Sequence, residues 1–155
     1  HKIIGEEYSP CPYFDIDEEF ALQQALLSLI KNKIIVSAHD ISEGGLLVTL
    51  MESAFYNELG FDVVSNDPSI RKDAYWFGES QSRVVVSVAE SMNESFAASL
   101  QSANIPFALL GIVTSQNIAV EGESWGTINT WKDKYDNAIG NILKSHESEQ
   151  ALSAI

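Results

Sequence analysis

Apolar and polar positions alternate in blocks along this chain, and the spacing of the apolar ones changes several times. Ala21, Leu22, Ala25, Leu26, Leu29 and Ile30 recur at helical spacing. Asp17, Glu18 and Glu19 precede them and suit the positive end of a helix dipole, while Lys31 and Lys33 suit the other end. This pattern predicts an amphipathic helix. Ile34, Ile35 and Val36 read as a short buried strand, and Leu46, Leu47, Leu50, Met51, Ala54 and Phe55 as a second, strongly apolar helix. Phe61, Val63 and Val64 predict another strand, Asn66-Asp67-Pro68-Ser69 a turn, and Arg71 to Tyr75 a mixed stretch. Val84, Val85, Val86 and Val88 form the clearest strand, because β-branched residues at this density suit a sheet interior.

From Glu90 to Ser102 the period is helical again, with Met92, Phe96, Ala97 and Leu100 on one side, and Asn104 to Pro106 ends it. Phe107 to Val113 is a strand candidate, and Ile118 to Val120 with Ile128 reads as a meander around Glu121-Gly122-Glu123. Thr130 is the expected cap of a last helix carrying Trp131, Tyr135, Ile139, Ile142 and Leu143, with Gly140 inside it. Residues 1–14 lack any period and read as an arm or linker, 15–144 as one domain, and 145–155 as a disordered tail. The expected class is α/β (α+β): a mixed, largely antiparallel sheet covered by helices.

Composition changes this picture little, and charge somewhat more. The net charge of -13 argues against non-specific nucleic-acid or anionic-membrane binding, since both require a basic face. A phosphorylated ligand stays open, held by backbone N–H groups, local cations or Mg²⁺. No apolar run approaches the ~20 residues of a membrane span. A single cysteine, Cys11, excludes an internal disulfide, and a cytoplasmic location is expected. Cys11 lies between Pro10 and Pro12 without a basic neighbour, so an inert thiol is expected. The chain opens at His1 rather than Met, and a piece of a longer polypeptide is the expectation.

Two polar segments interrupt apolar runs, each beside a predicted strand. In the first, His39, Asp40, Ser42 and Glu43 crowd around Gly44-Gly45 at a strand-to-helix turn. One reading has the turn's N–H groups meeting a phosphate, with Asp40 or Glu43 reaching it through Mg²⁺. The other has Ser42 or Asp40 capping the helix and the glycines permitting a positive φ. In the second segment, Arg83 can grip a phosphate or carboxylate and Gln81 can read a sugar hydroxyl or amide, whereas an Arg83–Glu79 ion pair closing the loop after Gly78 is the structural counterpart. His39 lacks an identifiable catalytic partner by spacing, and Trp76, Trp125 and Trp131 read as packing residues.

Ser37-Ala38-His39-Asp40-Ile41-Ser42-Glu43-Gly44-Gly45-Leu46, followed later by Phe77-Gly78-Glu79-Ser80-Gln81-Ser82-Arg83-Val84-Val85-Val86-Ser87, resembles the C-terminal domain of the aminoimidazole ribonucleotide synthase superfamily. Within it, the resemblance is to the last domain of the phosphoribosylformylglycinamidine synthase family. Pro12-Tyr13-Phe14-Asp15 and Leu110-Gly111-Ile112-Val113 fit the same order, so the resemblance covers about residues 10 to 143.

The resemblance implies an ATP- and Mg²⁺-dependent ligase of purine biosynthesis. That enzyme activates the amide oxygen of formylglycinamide ribonucleotide as a phosphate ester, which glutamine-derived ammonia displaces. Implied partners are the remaining domains of the same enzyme, a glutaminase domain or subunit, and the small ribonucleotide. The resemblance puts the catalytic histidine outside this chain, assigns no catalytic residue within it and implies that the fragment alone is inactive. It implies a phosphate or nucleotide role for His39, Asp40, Ser42, Gly44 and Gly45, and a substrate role for Glu79, Ser80, Gln81 and Arg83. The site in question is either the catalytic one or an auxiliary nucleotide site. Glu43 stands where many members have Asp, and the metal ligands stay unassigned. Two alternatives accompany this reading: another ATP-using relative such as selenophosphate synthetase or a hydrogenase-maturation protein, against which residues 79–83 argue, and a purely structural or assembly domain.

Overall fold

The computed structural model of the chain describes residues 13–153. In chain order its elements are α1 (Ile16–Lys31), β1 (Ser37–Asp40), α2 (Gly45–Phe55), β2 (Gly60–Val63), α3 (Lys72–Phe77), β3 (Val84–Ser87), a 3₁₀ turn (Glu90–Met92), α4 (Asn93–Ser102), β4 (Gly111–Thr114), β5 (Asn117–Val120), β6 (Glu123–Thr127) and α5 (Ile128–Ser153). They fall into two compact units, one holding the described residues up to Leu50 with Asn66–Leu109, the other Met51–Ser65 with the residues from Leu110 onward. The expected mixed α/β class and largely antiparallel pairing are present. The strands, however, divide between two sheets.

In the first unit β1 and β3 form a two-stranded antiparallel ladder in which Ser37 faces Ser87, His39 faces Val85 and Asp40 faces Val84. Asp15 caps α1, its carboxylate accepting from the N–H groups of Asp17 at 2.9 Å and Glu18 at 3.1 Å. Lys33, with φ 55°, ends that helix in a left-handed turn where Lys33 N–H donates to the Ile30 carbonyl and Ile34 N–H to that of Leu29. This exit displaces the strand expected at Ile34–Val36: the chain spends those residues leaving the helix, and the ladder starts at Ser37. Leu29, Leu46, Leu47, Leu50, Tyr75, Trp76 and Leu100 are buried here. The stretch expected to be mixed, Arg71 to Tyr75, is largely helical, because the α3 turn buries Tyr75 and Trp76 with their rings edge to face. The valine strand is half-buried throughout, since β3 pairs on one side only among the described residues.

The second unit holds the sheet β4-β2-β5-β6, parallel between β2 and β5 and antiparallel elsewhere. Phe61, Val63, Ile118 and Val120 are buried from its strands. The hairpin β5–β6 turns on Glu121 (φ 56°) and Gly122 (φ 78°), two consecutive positive values that match the right-handed twist of the strands. Ile128, expected in the meander, instead opens α5 and is fully buried. Thr130 therefore lies inside the first turn of that helix, where its hydroxyl pairs with Thr127 at 3.2 Å. The helix continues to Ser153, past the boundary expected near Ser145. Trp131 donates its indole N–H to the Trp125 carbonyl at 2.8 Å, and the two rings lie 5.6 Å apart. The strand expected from Phe107 begins only at Gly111, and Phe107 packs edge-on against Phe96 in the first unit. No helix of the described residues is long and apolar enough to cross a membrane. The N-terminal arm through Pro12, with Cys11, lies outside the described residues.

Candidate functional site

The two polar segments meet on the β1–β3 ladder, all within the first unit. β1 is the strand Ser37-Ala38-His39-Asp40 itself, and β3 opens directly after Arg83. Ser37 and Ser87 bond hydroxyl to hydroxyl at 2.6 Å, and beyond the last strand pair Ile41 N–H donates to the Arg83 carbonyl at 3.0 Å. Because the strands are antiparallel, the start of the first segment is thus fastened to the end of the second.

At the head of α2, Gly44 has φ 86° and Gly45 φ 71°, conformations that β-carbon-bearing residues adopt at a cost. Space reinforces the constraint. A β-carbon on Gly45 would lie 2.5 Å from the carbonyl carbon of Phe77 and 2.7 Å from its Cα, so the glycine allows the turn and the start of the second segment to touch backbone to backbone. Gly44 N–H donates to the Glu79 carboxylate at 2.8 Å, and Gly45 N–H to the Ser42 carbonyl at 3.1 Å. The N–H groups expected to meet a phosphate therefore have partners within the chain. Buried Thr49, one turn into α2, donates its hydroxyl to the Gly45 carbonyl at 3.1 Å and lies 3.4 Å from that of Asp40.

Arg83 does not pair with Glu79, which has turned to Gly44. Its guanidinium instead reaches the Gly78 carbonyl at 3.5 Å and the Ser80 hydroxyl at 3.2 Å, the residues on either side of Glu79. Ser82 holds φ 57° and donates its hydroxyl to Glu19 of α1 at 2.8 Å, which with the Gln23 amide holds that carboxyl below its usual range, Gln23 contributing more. Gln81 stands exposed between these tethered neighbours. His39 is half-buried, its Nδ1 2.8 Å from the Asp40 carbonyl oxygen and 3.9 Å from the Asp40 carboxylate. Ser42 and Glu43 are exposed at the turn. No group of three or more His, Cys, Asp or Glu side chains placed to hold a metal occurs among the described residues.

The structure brings the two polar segments side by side on one ladder. Sequence reasoning missed the contacts that join them, the Glu79 carboxylate on the Gly44 N–H and the Phe77 backbone against Gly45, and the tether of the second segment to α1 through Ser82 and Glu19. Only the glycine pair carried a local signal, that of close backbone approach. The family model "AIR synthase related protein, C-terminal domain" matches residues 11–122, which include both segments. The chain belongs to this family.

Curated relatives of the chain include the phosphoribosylformylglycinamidine synthase subunit PurL of Synechocystis sp., 33% identical over 155 residues. That alignment takes in 100% of the chain and 18% of the relative. PurL of Bradyrhizobium sp. strain BTAi1 is 30% identical over 91% of the chain and 19% of its own length. PurL of Leuconostoc mesenteroides reaches 41% identity over 67% of the chain and 13% of its own length. The chain thus spans under a fifth of these relatives. Among solved structures, Thermotoga maritima PurL complexed with FGAR superposes with a TM-score of 0.68 at 16% identity, covering 82% of the chain and 23% of that protein. The same protein complexed with ATP gives 0.60 at 16% identity, over 70% of the chain and 20% of its own length. These structural likenesses establish the fold, that of the family's C-terminal domain.

Proposed function

We propose that this chain is the C-terminal domain of a phosphoribosylformylglycinamidine synthase, and that its β1–α2 turn and the segment from Phe77 to Val84 together form one wall of a nucleotide and substrate cleft. The reaction is the ATP-dependent amidation of formylglycinamide ribonucleotide, with ammonia from a glutaminase domain or subunit, in the cytoplasm. The observation that carries the reading is the junction of the segments, where Gly44 N–H meets Glu79 and Ile41 N–H meets the Arg83 carbonyl. It is supported by the PurL identity of the relatives and by the ligands, FGAR and ATP, in the Thermotoga maritima PurL complexes.

In this reading His39, Asp40, Ser42, Gly44 and Gly45 present the nucleotide side of the wall, and Glu79, Ser80, Gln81 and Arg83 the ribonucleotide side. With the Gly44 and Gly45 N–H groups engaged inside the chain, phosphate contact falls to the Ser42 hydroxyl and the polar groups around it. Mg²⁺ would be carried on ligand phosphate oxygens and water, with Asp40 or Glu43 adding a carboxylate, since this ion binds through few protein ligands. Catalytic residues belong to other parts of the enzyme.

Ser42→Ala in the full-length polypeptide tests this reading. Removing one hydroxyl contact to phosphate raises KM for ATP about tenfold at an unchanged melting temperature. A second reading, a purely structural domain, is favoured by the internal partners of both glycine N–H groups and by exposed Ile139 and Leu143 on α5. An unchanged KM for ATP supports it and overturns the first.

A further inference from the structure

The four residues of the second segment are not placed alike, and the difference assigns them separate work. Glu79 turns its carboxylate onto the Gly44 N–H at 2.8 Å, across 35 positions of sequence. Arg83 reaches the residues flanking Glu79, at the Gly78 carbonyl and the Ser80 hydroxyl, while its own carbonyl accepts from Ile41 N–H. The backbone of Phe77, just before, comes within 2.5 Å of where a β-carbon on Gly45 would stand. These contacts close a circuit that begins and ends on the β1–α2 turn: the Glu79 carboxylate and the Arg83 backbone carbonyl meet the turn, and the Arg83 guanidinium braces the loop between them. Gln81 lies within the circuit and is exposed, and its side-chain amide makes no hydrogen bond among the described residues. Ser82 is anchored to Glu19 at 2.8 Å and holds a left-handed φ of 57°, which fixes the backbone immediately after Gln81.

We infer that Glu79 is a positioning residue that locks the loop to the β1–α2 turn, that Arg83 braces the loop around it, and that Gln81 is the ligand-reading side chain of the segment. A primary amide offers two N–H donors and a carbonyl acceptor, a set that recognises an amide or a ribose hydroxyl rather than a bare phosphate. This inference rests on the proposed function, and it changes what each substitution does. For Glu79 the requirement is an acceptor for Gly44 N–H and not a negative charge, so Glu79→Gln substitutes for it and Glu79→Ala does not.

The test is steady-state kinetics of the full-length polypeptide carrying Glu79→Ala, Glu79→Gln or Gln81→Ala, with hydrogen exchange of the peptide containing Gly44 measured alongside. Glu79→Ala is expected to speed exchange at the turn and raise KM for the ribonucleotide, and Glu79→Gln to restore both to within about threefold of the parent, because the amide oxygen still accepts. Gln81→Ala is expected to raise that KM about tenfold while exchange at the turn and kcat stay at the parent values. If Glu79→Gln is as impaired as Glu79→Ala, the carboxylate acts by its charge and the inference is overturned. It is also overturned if Gln81→Ala leaves KM unchanged while Glu79→Ala raises it. Faster exchange in Glu79→Ala with unaltered kinetics in all three variants would leave the lock in place and overturn the proposed function, taking the role of Gln81 with it.

Discussion

Gly45 is the position where a single atom decides most. Its φ of 71° and the Phe77 backbone, 2.5 Å from where a β-carbon would stand, give two independent reasons against any side chain. Gly45→Ala is expected to destabilise the fold by roughly 2 to 4 kcal/mol, summing a left-handed backbone penalty with the overpacking of a site that cannot relax. Chemical denaturation checks this, and a loss below ~1 kcal/mol would show that Phe77 can give way. The glycine pair was visible in the sequence as a strand-to-helix turn. What occupied the space it leaves was not, because Phe77 is distant in sequence and contributes backbone, which no residue pattern encodes. The Arg83–Glu79 pair suggested by proximity in sequence lost to a longer-range partner for the same reason: Gly44 N–H needs an acceptor, and the loop delivers Glu79 to it.

Among elements, helix ends explain most of what the pattern predicted and most of what it displaced. α1 is well marked by its acidic first turn and apolar period, and its N-cap is Asp15. The N–H groups of Glu18 and, next, Asp17 hold the Asp15 carboxyl below its ordinary value. A carboxyl depressed by folding stabilises the native state above its unfolded pKa of about 3.9 and loses that contribution as pH falls through the lower folded value. Acid unfolding followed by circular dichroism is therefore expected to steepen below about pH 4 in the parent and to be shallower in Asp15→Asn, which keeps the cap and discards the titration. At the other end, Lys33 takes a left-handed conformation for which Lys has no advantage, as Asn104 does after α4. Lys33→Gly is expected to stabilise by about 0.5 to 1 kcal/mol in thermal melting, the relieved backbone strain exceeding the added freedom of the unfolded chain. The apolar run Ile34–Val36 read as a strand because composition reports burial and not the residues a helix needs in order to end.

At the scale of the whole molecule, the class of fold and the succession of the longer helices α1, α2, α4 and α5 followed from periodicity, and α3 and the partition into two units did not. Short strands of four or five residues carry little information about which sheet they join, and the pairing of β2 with β5 rather than with β1 is a long-range choice. Ile128 shows the same limit: its apolar character fitted a meander, and burial at the head of α5 satisfies that character equally well. In the proposed function, two segments separated in sequence form a single ligand wall in a larger enzyme. Hydrogen exchange of the full-length polypeptide, with and without Mg-ATP and formylglycinamide ribonucleotide, measures this directly. Peptides covering residues 37–46 and 78–84 are expected to gain protection together when ligand is added. Protection of neither, or of one without the other, would contradict it.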